Sequence, residues 1–260
     1  MEQQVVLTAV ISSVTSLLVV AVSSYLTSRR ERSDQQLSEM AALSVKYVNP
    51  LRLYLTENHW RLGRIRDQIA QEGKHTSLLT IKDPKELSDK DPDWYNGEGC
   101  FLVSSAYLTA CLFAYLKKLR DDFPYLRLSE ADDTELLGNL LQVNLAFSGL
   151  GGIYYATQPS MGEDLLDRAE NRLISYREFC ELLQDPSSRV WMDGLITFYL
   201  AAGRGSPEMR ARLDRILRSI ANLIAFLDKA VGGGGSIGGR LRAEMAAHKD
   251  EPPSLPHAYA

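Results

Sequence analysis

The strongest constraint on this chain is a run of 22 residues near its start, Val5 to Leu26, without a charged residue, proline or glycine. As a helix this run would extend about 33 Å, which matches the hydrocarbon core of a bilayer. A signal peptide would begin with basic residues, whereas Glu2 carries the charge before this run. The segment therefore predicts a single-pass transmembrane helix.

Basic residues follow the apolar run, and none precedes it. Arg29, Arg30 and Arg32 stand directly after it. The positive-inside rule then places the N-terminus outside the inner (plasma) membrane and the rest of the chain in the cytoplasm. We expect these arginines to lie at the membrane interface, where each adds about 1 kcal/mol of attraction to anionic lipids. Residues 1–32 thus form the predicted anchor with its basic juxtamembrane segment.

Five hydroxylated residues of the predicted anchor share one stripe. At 100° per residue they fall within about a third of the helix circumference. Small hydroxylated residues in a stripe let transmembrane helices approach and hydrogen-bond, which makes this face a candidate for self-association. The alternative is that serine and threonine are merely tolerated in a lone anchor. The residues concerned are Thr8, Ser12, Thr15, Ser16 and Ser23.

A long helical pattern follows the anchor, over residues 33–71. Apolar residues recur at alternating steps of four and three, as in a helix of a bundle or coiled coil. Asn49-Pro50 interrupts the pattern and predicts a kink or a junction between two helices. Asn58 either fixes the register of packing or lies at a partly wet edge. The seam reads Leu37, Ala41, Ser44, Val48, Leu51, Leu55, Asn58, Leu62, Ile65 and Ile69.

Further helices are predicted along the rest of the chain. The segment from Cys100 to Asp122 is apolar around most of its girth, which favours a core helix over a second, too-short membrane span. Ser175 with Glu178 forms a capping box, and Ser206-Pro207 opens a helix that ends at a glycine run. The predicted fold is therefore mostly α, with a cytoplasmic helical bundle over residues 33–231 and a flexible Gly/Pro-rich tail over 232–260.

Another helix is predicted between these segments, before the glycines at 149–152. Acidic residues at its start suit the positive end of a helix dipole. Its predicted core positions are Leu136, Leu140, Val143 and Phe147.

Residues 73–99 form the least regular interior stretch. Asp83-Pro84, Asp91-Pro92 and Asn96-Gly97 are typical of turns. A connection of this length is either functional or disordered. We expect a surface loop here, with 78–81 as an alternative short strand or docking segment.

No catalytic, cofactor or metal motif stands out. Gly149, Gly151 and Gly152 lack the preceding strand and the following lysine of a P-loop, so they are read as a helix end and a turn. The four histidines form no HxxxH or HExxH pair, and no cofactor is expected. A net charge of −4 gives no reason to expect nucleic acid. Three widely spaced cysteines indicate free thiols.

Three short motifs after the anchor resemble a group of uncharacterised bacterial membrane-anchored helical proteins. The resemblance spans roughly residues 5–230 and implies a bacterial inner-membrane location. It implies no activity and no functional residue. The motifs are Tyr47-Val48-Asn49-Pro50-Leu51, Leu112-Phe113-Ala114-Tyr115 and Ile174-Ser175-Tyr176-Arg177-Glu178-Phe179.

The sequence therefore predicts a non-enzymatic, membrane-tethered helical module that binds a protein partner or forms a homo-oligomer at the cytoplasmic face. One alternative is a membrane-associated enzyme whose site lies near the 73–99 loop. Another is an effector that perturbs membranes when its apolar helix, Cys100 to Asp122, becomes exposed.

Overall fold

The computed structural model describes residues 44–121, 130–149, 151–167, 170 and 172–230. The predicted anchor and the predicted tail lie outside these residues. Within them, one helix, Cys100–Asp121, is long and apolar enough to cross a bilayer, and 61% of its most apolar stretch is buried in the protein. The described chain from Tyr47 onward belongs to one compact unit.

Helix α1 spans Asn49–Glu72 and follows a π-helical turn at Ser44–Val48. Pro50 stands in its first turn, where the missing N–H is no loss, and the backbone changes from π-helical to α-helical between Val48 and Asn49, directly before this proline. The helix ends at Gly73, whose φ of 75° is the left-handed conformation that favours glycine. From Val48 onward every residue of the predicted seam is buried. The seam therefore faces the bundle, where α1 packs on two other long helices described below.

Helix α3, Cys100–Asp121, lies at the centre of the fold and follows a short helix α2, Pro92–Asn96. It packs against α1 and three later helices. Burial extends around most of its circumference, as the apolar sequence predicts for a core helix. Its buried residues include Leu102, Val103, Ala106, Ala110, Cys111, Leu112, Phe113, Leu116 and Leu119.

Helices α4, Glu130–Phe147, and α9, Pro207–Ala230, pack side by side, and α9 also packs against α1. The predicted start of α9 is confirmed, because the Ser206 hydroxyl accepts a hydrogen bond from the Met209 N–H at 3.2 Å. At the other end of α9, the Arg52 guanidinium of α1 donates to the Leu227 carbonyl at 2.6 Å and pairs with Asp228 at 3.0 Å. These contacts hold α1 against α9.

The remaining elements fill the space around α3. The predicted Ser175 capping box is confirmed at the start of α6. The seven-residue helix α5 and a two-residue antiparallel hairpin were not predicted, because both are too short for a periodic sequence signal. Their bounds are α5 Gln158–Asp164, β1 Leu166–Asp167, β2 Arg172–Leu173, α6 Tyr176–Gln184, α7 Pro186–Arg189 and α8 Asp193–Arg204.

The 73–99 segment differs from the predicted surface loop. It folds into 3₁₀ helices at Thr76–Leu78 and Pro84–Asp89, followed by α2. Asp83 caps the second of these and Asp91 caps α2, each with proline in the first turn. The segment also buries Leu78, Ile81, Leu87 and Tyr95. It is therefore a packed connection across the bundle.

Two helices meet closely at a glycine. A Cβ added to Gly162 of α5 would stand 2.4 Å from the backbone nitrogen of Ala114 in α3. That separation is far below van der Waals contact, so the close packing of α5 on α3 requires glycine at this position.

Candidate interaction surface

The exposed side of α4 carries three leucines in one line. Leu137, Leu141 and Leu145 are 41%, 43% and 47% exposed. Their spacing of four residues places them on one face of the helix, one turn apart. The predicted core positions Leu136, Leu140, Val143 and Phe147 are buried as expected. We call the exposed side, Leu137, Gly138, Leu141, Gln142 and Leu145, the leucine face.

Gly138 leaves the backbone of the leucine face bare. A Cβ at this position would meet no atom of another element within 4 Å among the described residues, so no neighbour there requires glycine. Glycine inside a helix costs about 1 kcal/mol relative to alanine. What Gly138 provides is an exposed stretch of backbone that another helix can approach closely.

The leucine face belongs to an uncharged part of the sequence. From Leu136 to Gly162, 27 residues contain no Asp, Glu, Lys or Arg, where an average content of 24% would give about six. The same stretch contains Tyr154, which is 73% exposed. Charge depletion and exposed aromatic residues are the composition found at the centres of protein interfaces.

Two smaller exposed apolar sets lie on other elements. Leu53 and Trp60 lie seven residues apart on α1, with the exposed Glu57 between them. Val190 and Trp191 follow α7 and are 54% and 62% exposed. Single exposed apolar residues are ordinary on protein surfaces, whereas contiguous apolar patches mark interaction sites. The leucine face is the more continuous set.

Trp191 also forms part of an open groove of about 540 Å³, which Ser160, Glu163, Asp164 and Leu166 line with it. Burial raises the pKa of Asp164, and the neighbouring Glu163 raises it further. Carboxylates beside an exposed indole can attract a cation. None of these lining residues belongs to the 73–99 segment.

The 73–99 segment buries a histidine. His75 is 2% exposed and stacks on Phe101 with ring centroids 4.7 Å apart, and neither of its ring nitrogens has a hydrogen-bond partner among the described residues. Burial, reinforced by the charge of Arg64, lowers the pKa of His75 to about 4. The imidazole is therefore neutral and a weak base at pH 7. Its closed position favours a packing role over proton transfer, which requires contact with substrate.

A chain of hydrogen bonds crosses the core between α1, α3 and α8. Thr109 donates to Asn58 Oδ1 at 2.6 Å, and its hydroxyl lies 2.6 Å from that of Tyr199. Because the Thr109 proton is used on Asn58, Tyr199 is the donor to Thr109. Asn58 Nδ2 donates to the carbonyls of Tyr54 and Leu108 at 2.8 and 2.9 Å. Asn58 is fully buried, which excludes the partly wet edge and agrees with the predicted role in fixing the register of packing.

The cysteines are free thiols, as predicted. Burial raises the pKa of Cys111 to about 12 and that of Cys180 to about 11. Both therefore remain protonated at pH 7, and a thiol is a poor nucleophile compared with a thiolate. Reactive cysteine chemistry is not indicated at these two positions.

The sequence-predicted site residues lie outside the described part of the chain. This holds for the anchor stripe, Thr8, Ser12, Thr15, Ser16 and Ser23, and for the interface arginines Arg29, Arg30 and Arg32. Among the described residues, no group of three or more His, Cys, Asp or Glu is placed to hold a metal ion. The leucine face was not predicted. The sequence feature that could have indicated it is the pair of adjacent leucines at 136–137 and again at 140–141. Adjacent residues of a helix point in different directions, so one leucine of each pair must lie outside the buried stripe.

No family model, curated protein or solved structure matches the chain. The resemblance to bacterial membrane-anchored helical proteins therefore stays a prediction from three short motifs.

Proposed function

We propose that this protein is a membrane-tethered helical module that binds protein through the leucine face of α4 at the cytoplasmic surface. The observation that carries the proposal is the line of three half-exposed leucines on α4. The tether is supported by the uncharged run Val5 to Leu26 and the three arginines that follow it.

The free energy gained by covering the leucine face is small enough that binding depends on the tether. Burying a leucine fully is worth about 1.5–3 kcal/mol, and each leucine here is a little under half exposed, so covering each recovers about 1 kcal/mol. A partner of similar character doubles the total, to about 6 kcal/mol. Association of free proteins costs about 4–15 kcal/mol, so the face alone binds weakly in solution. A shared membrane raises the local concentration and makes such a contact effective.

The charges near α4 favour protein over lipid as the ligand of the face. Helices that lie on membranes carry lysine and arginine on their polar side. The first six residues of α4 contain instead four acidic residues and no basic one, and anionic headgroups repel acidic side chains. These four are Glu130, Asp132, Asp133 and Glu135. The uncharged residues that follow suit a protein surface of similar apolar character.

The two alternatives have less support. An enzyme site beside the 73–99 segment would need accessible reactive groups, whereas His75 is enclosed against Phe101. A membrane-perturbing effector would need α3 exposed, and α3 is the central helix of the bundle. Exposing it would remove the core that holds the other helices together.

The test is the double variant Leu137→Gln/Leu141→Gln in the full chain, expressed in its native membranes. After gentle solubilisation, native electrophoresis gives the mass of the complex that contains the protein. We expect the wild type to run as a complex and the variant to run as the single chain. The matched control is Leu53→Gln/Trp60→Gln on α1, which removes similar exposed apolar area and should leave the complex intact. Complexes of equal size in all three proteins would refute the proposal.

A further inference from the structure

We infer that the protein bound by the leucine face is a second copy of this chain, with the two α4 helices antiparallel about a two-fold axis at Leu141. This inference rests on the proposed function and names the partner of the same surface. Symmetry, charge and size each support it.

The leucines are spaced symmetrically about Leu141. Leu137 lies four residues before it and Leu145 four residues after it. In a two-fold contact, whatever residue i meets on the other copy must in turn meet residue i. An axis at Leu141 brings the two copies of Leu141 together and places Leu137 opposite the partner's Leu145. The face is therefore complementary to itself.

The distribution of charge favours a second copy and an antiparallel arrangement. Interfaces between different proteins commonly select partners by opposite charges, and the 27 residues from Leu136 offer none. Two neutral faces meet without repulsion. The acidic residues of α4 lie in its first two turns, from Glu130 to Glu135, and antiparallel pairing about Leu141 keeps the two copies of Glu135 about 18 Å apart along the helix. Parallel pairing would bring like charges together.

Gly138 provides the space that this pairing requires. It lies on the leucine face three residues before Leu141, and a Cβ there would point into open space. A bare backbone at this position lets the second helix approach more closely than a surface of leucines alone would allow. The pairing thus gives a reason for a glycine that no contact among the described residues explains.

The size of the face indicates where the pairing occurs. With the axis at Leu141, residues 135–147 of the two helices face each other, a strip about 20 Å long and about 10 Å wide that covers roughly 200 Å² on each copy. The total, roughly 400 Å², is below the ~1,200 Å² of a stable interface between free proteins. We therefore place the dimer between copies tethered to one membrane, where the effective concentration is high.

The test is cysteine crosslinking of the full chain in membranes under mild oxidation, read as disulfide-linked dimer. Leu141→Cys should form dimer by itself. Leu137→Cys and Leu145→Cys should each form little alone, because equal positions lie about 12 Å apart along antiparallel helices, but should crosslink when co-expressed. The wild type gives the background of the native cysteines, and Leu53→Cys on α1 is the matched control. Dimer from Leu137→Cys and Leu145→Cys alone, without the mixed product, would overturn the antiparallel arrangement.

Gly138 gives an independent test. In the Leu141→Cys chain, Gly138→Gln should reduce the dimer yield by about tenfold, because the added side chain separates the helices. Gly63→Gln on α1, where a Cβ also meets no other atom within 4 Å, is the matched control and should leave the yield unchanged. Equal yields from both variants would contradict close approach at Gly138.

The two proposals fail differently. If Leu137→Gln/Leu141→Gln dissociates a complex with another protein while Leu141→Cys gives no dimer, the proposed function stands and the second copy is excluded. If the leucine substitutions change no complex and Leu141→Cys gives no dimer, both proposals fall.

Discussion

The buried chain Tyr199–Thr109–Asn58 yields a sharp stability prediction. Thr109→Val keeps the shape of the side chain but removes the hydroxyl that joins the other two groups. Asn58 Oδ1 and the Tyr199 hydroxyl would then both lie in the core without a partner. Each such group costs about 1–3 kcal/mol, while the added methyl recovers less than about 1 kcal/mol. We expect a net loss of about 3 kcal/mol in the free energy of unfolding.

The measurement is thermal unfolding of the purified full chain in mild detergent, followed by circular dichroism. For a domain of this size, a loss of 3 kcal/mol lowers Tm by about 6–12 °C. Tyr199→Phe alone should cost about 1 kcal/mol, because Thr109 keeps its bond to Asn58. The double variant should be less destabilised than the sum, by about 1–2 kcal/mol, since no tyrosine hydroxyl remains to be left without a partner. A Thr109→Val protein within about 0.5 kcal/mol of wild type, or strict additivity, would refute this reasoning.

Three further predictions concern single positions. In the fold the pKa of His75 is lowered from 6.5 to about 4, so the unfolded chain binds a proton at this histidine first as the pH falls below 6.5. The free energy of unfolding should therefore fall by about 3 kcal/mol between pH 6.5 and pH 4. His75→Phe should flatten this part of the profile of urea unfolding against pH, and an unchanged slope would contradict the assignment. Gly162→Ala, whose Cβ would collide with the backbone of Ala114, should destabilise the fold by at least about 2 kcal/mol, and a variant as stable as wild type would disprove the tight α3–α5 packing. Gly138→Ala and Gly63→Ala should each raise the free energy of unfolding of the detergent-dissociated chain by about 1 kcal/mol; a loss at either position would show that its glycine serves the fold itself.

Helices with strong local signals were predictable from the sequence. The serine at position 206, followed by proline, defines the start of α9, and the capping box at Ser175 defines the start of α6. The seam of α1 was readable because one apolar residue recurs per turn over more than three heptads. In these segments the local chemistry and the final packing agree.

Other features depend on contacts that sequence periodicity does not contain. Asp83-Pro84 and Asp91-Pro92 are turn signals and equally helix starts, and the burial of Leu87 and Tyr95 decides between the two readings. Helix α5 is short, and Gly162 at its contact with α3 is recognisable only once the two helices are seen together.

The leucine face shows the same limit. The pattern of α4 is apolar on two sides, and only the position of α9 shows which side remains exposed. The candidate-site residues in the predicted anchor precede Ser44, where the described residues begin. Their role stays a prediction.

The most direct test of the central claim is a photo-crosslinking amino acid at Gln142, which is exposed beside Leu141 on the leucine face. The full chain carrying this probe is irradiated in native membranes, and the products are separated by mass. We expect a discrete protein adduct at Gln142 that is absent when the probe stands at Glu57 of α1, which is also exposed. Recovery of only the single chain from the Gln142 probe would contradict it.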